Sequence, residues 1–149
     1  MEKVFHKDQI PEIAQEILGK LTTKSLKLKA GFVVALSGDL GAGKTTLTQE
    51  LARQLGVTET LVSPTFVIMK SYKLTTKNYN LLVHIDAYRL KSSKELLNLG
   101  WEELVTDPKN LILIEWPEQV PELIPKNALW VELKHHGEHS RQITLTSKG

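Results

Sequence analysis

The sequence contains no cysteine, which excludes disulfide frameworks and thiolate metal sites and is compatible with a reducing cytosol. It also lacks long hydrophobic runs. The longest ones, Phe32–Leu36 and Leu111–Ile114, are far shorter than the roughly 20 residues that a membrane helix needs. Residues 1–12 alternate charged with apolar side chains, unlike the hydrophobic core of a signal peptide. We therefore expect a cytoplasmic protein with no membrane association.

The chain also lacks a large excess of positive or negative charge, and it has few aromatic side chains. The formal net charge is +2 with both signs mixed, so there is no basic stripe of the kind that binds DNA or RNA. Hydrophobic residues make up 41% of the chain and charged residues 24%, which excludes the disordered and fibrous classes. A length of 149 residues suits one core, so we expect a single domain over residues 1–149. Any role with nucleic acid is expected to be indirect or supplied by a partner.

Helical and strand patterns alternate along the first half of the chain. Residues 8–21 place apolar side chains at steps of three and four, which predicts an amphipathic helix capped by Asp8. Residues 31–37 are continuously apolar and β-branched, which predicts a strand covered on both faces. A second helix is predicted to run to Leu55, with Gly56 after its last turn.

The second half of the chain adds strands and one short helix. Residues 65–74 and 80–90 are predicted to form a hairpin across a polar connection. Residues 92–105 predict a short helix, and residues 111–115 predict a second fully buried strand. The tail, on either side of residues 137–140, predicts an antiparallel pair with one solvated face. Together these patterns predict an α/β fold whose mixed sheet has a parallel centre and antiparallel additions.

The segment GDLGAGKTT carries the most specific chemistry in the sequence. Gly38, Gly43, Lys44 and Thr45 match the pattern G-x-x-x-x-G-K-[ST] between a predicted strand and a predicted helix. In such a loop the main-chain N–H groups point at phosphate oxygens, the lysine bridges the outer phosphates, and the threonine hydroxyl binds Mg²⁺. A bare glycine turn is the alternative, but it needs neither a lysine nor a threonine at those positions. The motif predicts a P-loop NTPase-like, three-layer domain that binds nucleotide through Gly38, Asp39, Leu40, Gly41, Ala42, Gly43, Lys44, Thr45 and Thr46.

Further candidate site residues follow the predicted strands and the P-loop helix. Asp86 and Glu115 each stand where a buried strand ends, so each could hold Mg²⁺ or orient an attacking water, or could simply face solvent. Thr65, in a Ser-Pro-Thr segment, could act as a switch threonine, although Ser-Pro is also a common turn opener. His84 alternates with apolar residues, and we expect a hydrogen-bonded core histidine rather than a base.

The sequence leaves three alternatives for the terminal phosphate of a bound nucleotide: transfer to a small molecule, transfer to water, or no transfer at all. Small-molecule kinases usually need several arginines, and this chain has only Arg53, Arg89 and Arg141, so a kinase is disfavoured. The guanine motif N-K-x-D is absent, so ATP is the favoured nucleotide. Slow ATP hydrolysis and a non-enzymatic nucleotide-dependent binding switch both remain, because the motif chemistry does not separate them.

Five segments, in this order and spacing, resemble the TsaE family, which is also called the YjeE family. They are Gly38–Thr46, Ser63–Phe66, His84–Leu90, Leu99–Leu104 and Leu113–Glu118. The resemblance spans almost the whole chain. It implies a P-loop ATPase that acts with TsaB and TsaD to form threonylcarbamoyladenosine in tRNAs that read ANN codons. By the same analogy, TsaD transfers the threonylcarbamoyl group, ATP hydrolysis resets the complex, and tRNA is contacted indirectly through that complex.

The resemblance also implies roles for individual residues. It gives phosphate binding to the P-loop and the switch position to Thr65. Trp116 is expected beside the site, where its ring could line the nucleotide pocket, contact a partner or simply pack. The implied catalytic residues are Lys44, Asp86 and Glu115, and the implied Mg²⁺ ligands are Thr45, Asp86 and Glu115.

Overall fold

The computed structural model describes residues 2–25, 29–39, 41–59, 61 and 67–147. The strands are β1 (Glu2–His6), β2 (Phe32–Gly38), β3 (Met69–Lys73), β4 (Leu81–Asp86), β5 (Asn110–Glu115), β6 (Leu129–His135) and β7 (Ser140–Ser147). The helices are α1 (Ile10–Ser25), α2 (Lys44–Gln54), α3 (Ser93–Asn98) and α4 (Trp101–Thr106). Short 3₁₀ turns occupy Lys7–Gln9, Pro117–Gln119 and Pro121–Leu123. Within these described residues, no helix combines the length and the apolar composition that a membrane span requires.

The seven strands found among the described residues form one sheet, in the order β1-β7-β6-β2-β5-β4-β3. The four central strands β6, β2, β5 and β4 are parallel to one another. β7 and β1 extend one side and β3 the other, each paired antiparallel to its neighbour. The predicted α/β fold, with a parallel centre and antiparallel additions, is confirmed.

The most apolar strands lie at the centre of the sheet, where helices and turns cover both faces. β5 is buried along its whole length, and β2 is buried from Phe32 to Leu36. On one face Phe32, Val34 and Leu36 pack in a core with residues of α1 and α2. On the other face Val33 and Ala35 pack with residues of α3, α4 and the proline-containing turns. These three layers confirm the prediction that both strands are covered on both sides.

The start of the first helix differs from the sequence prediction. Asp8 is exposed and does not cap the helix, because β1 continues to His6 and a 3₁₀ turn precedes α1. His6 caps this 3₁₀ turn. Its Nδ1 accepts a hydrogen bond from the Asp8 main-chain N–H at 3.1 Å, and its own N–H donates to Gln9 Oε1 at 2.8 Å. The prediction of an Asp8 cap is therefore wrong.

Two further differences concern β1 and the helical segment at 92–105. β1 was not predicted from the sequence. The single short helix predicted over 92–105 is two helices, α3 and α4, separated at Gly100, whose φ of 92° cannot continue a right-handed helix. The hairpin of β3 and β4, the antiparallel tail of β6 and β7, and the left-handed Gly56 after α2 are confirmed.

Candidate functional site

The loop between β2 and α2 is shaped by three glycines with positive φ angles, Gly38, Gly41 and Gly43. Gly38 ends β2 with a φ of 141°, and a Cβ built there would lie 2.2 Å from the main-chain oxygen of Leu133 on β6. Gly43 has a φ of 104° and is the N-cap of α2. L-amino acids with side chains rarely adopt either conformation, so the loop depends on glycine at both positions.

The first turn of α2 presents main-chain N–H groups to the loop. The first hydrogen bond within the helix is donated by the Leu47 N–H to the Gly43 oxygen at 2.9 Å. The N–H groups of the residues between them precede that bond and have no partner within the helix. They lie at the positive end of the helix dipole, and Thr45 and Thr46 are exposed there. Such an arrangement is a ready binding site for an anion.

Lys44 lies against the loop and under an aromatic ring. It is only 6% exposed, its Nζ donates to the Gly38 oxygen at 2.8 Å, and Nζ lies 3.7 Å from the centroid of the Trp116 ring. Burial lowers the pKa of Lys44, while Glu115 and other carboxylates around it oppose that shift. The ammonium group is thus held at the loop by a carbonyl, a ring face and nearby negative charge.

Asp86 and Glu115 lie side by side at the carboxyl ends of β4 and β5. They are register partners in the parallel pair, and Glu115 is also the register partner of Leu36 on β2, two residues before Gly38. Both carboxylates are buried, at 6% and 4% exposure, so neither is a strand-end residue that merely faces solvent. The Tyr88 N–H donates to Asp86 Oδ1 at 3.0 Å. The structure therefore brings both predicted carboxylates to the sheet edge that carries the P-loop.

His84 is a buried neighbour of this carboxylate pair. It is fully buried on β4, and its Nε2 lies 2.7 Å from Glu115 Oε2. The expectation of a hydrogen-bonded core histidine is confirmed, but its partner Glu115 was not predicted, because the sequence does not give the register of β4 against β5. The two-residue spacing from His84 to Asp86 shows only that these two side chains share one face of β4.

The side chain of Trp116 packs beside Lys44. Its backbone has a φ of 59°, and its N–H donates to the Leu36 oxygen at 3.3 Å, which ties the residue after β5 to β2. Its ring centroid lies 5.0 Å from that of Tyr88, at an angle of 51°. The predicted position of Trp116 beside the site is thus where the structure places it.

A second concave surface lies on the opposite face of the sheet from α2. It is a pocket of about 450 Å³ lined by Ser37, Glu118, Trp130, Glu132, Thr144 and Thr146. Partial burial raises the pKa of Glu118, whereas a main-chain hydrogen bond and the charge of Lys44 lower it, and the like charge of Glu132 makes the smallest contribution, which raises it. The charge of Glu118 therefore interacts with the P-loop lysine from outside the loop.

The remaining predicted residues differ in how the structure bears on them. Leu40 and Thr65 lie outside the described residues, so their phosphate-binding and switch roles stay predictions. Among the described residues, no group of three or more histidine, aspartate or glutamate side chains forms a metal site. Mg²⁺ in nucleotide sites usually takes one or two carboxylates together with phosphates and water, and Thr45, Asp86 and Glu115 offer a donor set of that kind.

Several known proteins are similar to this chain over most of its length. The sequence model of the family described as Threonylcarbamoyl adenosine biosynthesis protein TsaE matches residues 6–143. The tRNA threonylcarbamoyladenosine biosynthesis protein TsaE of Bacillus subtilis is 39% identical over 121 residues, which cover 81% of this chain and 73% of that protein. The protein of the same name from Nostoc is 42% identical over 122 residues, covering 80% of this chain and 72% of its own. The crystal structure of Bacillus subtilis YdiB matches with a TM-score of 0.72 at 33% identity, covering 100% of this chain and 86% of that one.

Proposed function

Because this chain belongs to the TsaE family of threonylcarbamoyladenosine biosynthesis proteins, we propose that it is a magnesium-dependent P-loop ATPase acting in that pathway. Membership confirms the resemblance that the ordered motifs indicated. In the proposed role the chain acts in the cytoplasm with TsaB and TsaD on tRNAs that read ANN codons, and it reaches tRNA through the complex. ATP hydrolysis resets that complex between rounds.

One observation carries the proposal: Lys44 lies between the P-loop and a buried carboxylate pair. A lysine that is 6% exposed and donates to its own loop carbonyl supports the binding of the outer phosphates of a nucleotide at this loop. Asp86 and Glu115 are buried at paired positions of β4 and β5, and buried carboxylates are usually paired or bound to a cation. Two such carboxylates, together with the Thr45 hydroxyl, form a donor set that supports a magnesium ion as part of the working site.

The residues of this chain divide the proposed work among them. The loop amides and Lys44 bind the triphosphate, and Lys44 exchanges its hydrogen bond to Gly38 for one to a phosphate oxygen. Thr45, Asp86 and Glu115 would hold the metal, directly or through water, and one of the carboxylates would orient the attacking water. When bound, Mg²⁺ would neutralise charge that develops on the phosphates in the transition state. The ring of Trp116 covers Lys44 and keeps water from it.

Nucleotide affinity of the isolated chain tests the binding half of the proposal. Lys44→Ala removes a charged hydrogen-bond donor, which is worth about 1.5–3 kcal/mol, so ATP affinity should fall by about 10- to 100-fold. Lys94→Ala removes an exposed lysine of α3 and is the matched control, with affinity expected to equal that of the wild type. Titration calorimetry with magnesium measures both. Wild-type affinity in Lys44→Ala would remove the P-loop from the proposal.

Reconstitution with TsaB, TsaD and tRNA tests the catalytic half. Modified tRNA and released phosphate are measured together, for the wild type and for Glu115→Gln, which keeps the size of the side chain but removes its charge. We expect repeated ATP turnover for the wild type and its loss in the variant. ATP-dependent assembly without turnover would instead identify a non-enzymatic switch, and phosphate on an added small acceptor would identify a kinase.

A further inference from the structure

His84 and Glu115 form a buried hydrogen bond between neighbouring strands. In the parallel register of β4 and β5, His84 is paired with Leu113, and Glu115 lies two residues further along β5. The side chains of His84 and Glu115 therefore share the face of the sheet that α2 covers, and the bond runs diagonally between the strands. Its length is 2.7 Å, from Nε2 of a fully buried ring to Oε2 of a carboxylate that is 4% exposed.

The direction of this hydrogen bond follows from what each group can offer. A carboxylate has only acceptors, so the proton of this bond lies on Nε2 and His84 donates. The other ring nitrogen, Nδ1, is buried and has no hydrogen-bond partner among the described residues. A buried polar atom without a partner destabilises a protein, and an aliphatic side chain would fill a similar space without that penalty. Packing alone therefore does not account for a histidine at this position.

We propose that His84 is a positioning residue for Glu115, an inference that rests on the proposed function of the site. Its hydrogen bond occupies Oε2, and it is the only hydrogen bond that the described residues make to this carboxylate. Oε1 is thereby left for magnesium or for a water bound to it. Because the bond fixes the carboxylate before nucleotide binds, less side-chain freedom is lost when the metal arrives.

Three substitutions separate positioning from packing. His84→Gln can place an amide N–H close to the position of Nε2, and so can still donate to Glu115. His84→Asn has the same polar group on a shorter side chain that reaches only the position of Nδ1. His84→Leu removes the donor and keeps an apolar side chain of moderate size. The two amide variants carry a similar burial penalty, so a difference between them reports the hydrogen bond to Glu115.

The measurement is ADP affinity of each folded variant, with magnesium titrated in and with the metal removed by a chelator. Without magnesium, all variants should bind ADP as the wild type does, because His84 does not touch the P-loop amides. With magnesium, we expect the half-saturating metal concentration to rise by about 10- to 100-fold in His84→Asn and His84→Leu, the usual effect of losing a partner of a metal ligand. His84→Gln should stay close to the wild type.

Each outcome bears on the inference. Wild-type magnesium dependence in His84→Leu would overturn it, and so would equal dependence in the two amide variants. If His84→Leu does not fold, the comparison of Gln with Asn decides alone. If the wild type binds ADP in a magnesium-dependent way and every variant is half-saturated at the same magnesium concentration as the wild type, only the inference fails. If the wild type itself binds no nucleotide, the proposed function fails and the inference falls with it.

Discussion

Replacing Gly38 with alanine tests how strictly the start of the P-loop depends on the neighbouring strand. In the structure a Cβ at this position would lie 2.2 Å from the Leu133 main-chain oxygen, whereas ordinary contacts begin at 3.4 Å. The obstacle is a backbone atom of β6, paired in the same sheet, so it cannot rotate away as a side chain would. The residue also has a φ of 141°, which alanine adopts only under strain.

The backbone strain and the clash with Leu133 each lower the free energy of unfolding, and the two contributions can be considered separately. A left-handed backbone costs an alanine about 1–2 kcal/mol. Forcing strands apart to admit an extra carbon adds about 1–3 kcal/mol, by comparison with overpacked cores. Gly38→Ala should therefore lose about 2–5 kcal/mol of unfolding free energy. The matched control is Gly43→Ala, in the same loop, where φ is 104° and no described residue other than its two chain neighbours has an atom within 4 Å of the added Cβ, so only the backbone strain applies.

Urea unfolding followed by far-ultraviolet circular dichroism measures the difference between the two variants. We expect Gly38→Ala to be the less stable by about 1–3 kcal/mol, with the slope of the transition unchanged. A typical domain has only about 5–15 kcal/mol in total, so the loss is easily resolved. If Gly38→Ala were as stable as Gly43→Ala, the contact with Leu133 would not constrain the loop, and the reasoning would be refuted.

Two further substitutions test the charges and the ring around Lys44. Glu118→Gln should raise the melting temperature only slightly near neutral pH: partial burial raises the pKa of Glu118 and disfavours its charged form in the folded state, but the residue is exposed enough for solvent to screen much of this effect. Because its pKa is raised, the Glu118 carboxylate binds a proton more readily in the folded protein than in the unfolded chain. The gain in melting temperature of Glu118→Gln should therefore shrink as pH falls and Glu118 is protonated. Thermal melts at several pH values measure this, and a gain that does not change with pH would contradict it. Trp116→Leu should lose about 1–2 kcal/mol of unfolding free energy in urea, because the ring face 3.7 Å from Lys44 Nζ is removed. Trp116→Phe should retain part of that energy, and equal losses in the two variants would exclude a cation–π contribution.

The centre of the fold could be predicted because its signals are local. The apolar runs of β2 and β5 identify buried strands by composition alone, and the motif between β2 and α2 defines its own geometry through two glycines and a helix start. The positions of Asp86 at the end of β4 and of Glu115 at the end of β5 also made them candidates, since ligands gather outside the carboxyl ends of parallel strands.

Features that depend on distant pairing could not be predicted in the same way. β1 has a single buried residue, Phe5, and it forms a strand because its backbone pairs with β7. The prediction that Asp8 caps the helix fails because nothing in the local sequence shows that the chain remains extended as far as His6. The bond from His84 to Glu115 requires knowing that β4 and β5 are neighbours and in which register they pair.

The pairing of β1 with β7 also sets an order of events during synthesis on the ribosome. A hydrogen bond between the side chains of Glu2 and Gln142 links residues 140 positions apart. At usual rates of translation, β1 emerges on the order of ten seconds before its partner strand exists. During that interval its edge has no native partner, and the alternating charges of Glu2 and Lys3 oppose pairing with other nascent chains. Among the described strands, β1 can therefore make its native pairing only after β7, which comes last in the sequence, has been synthesised.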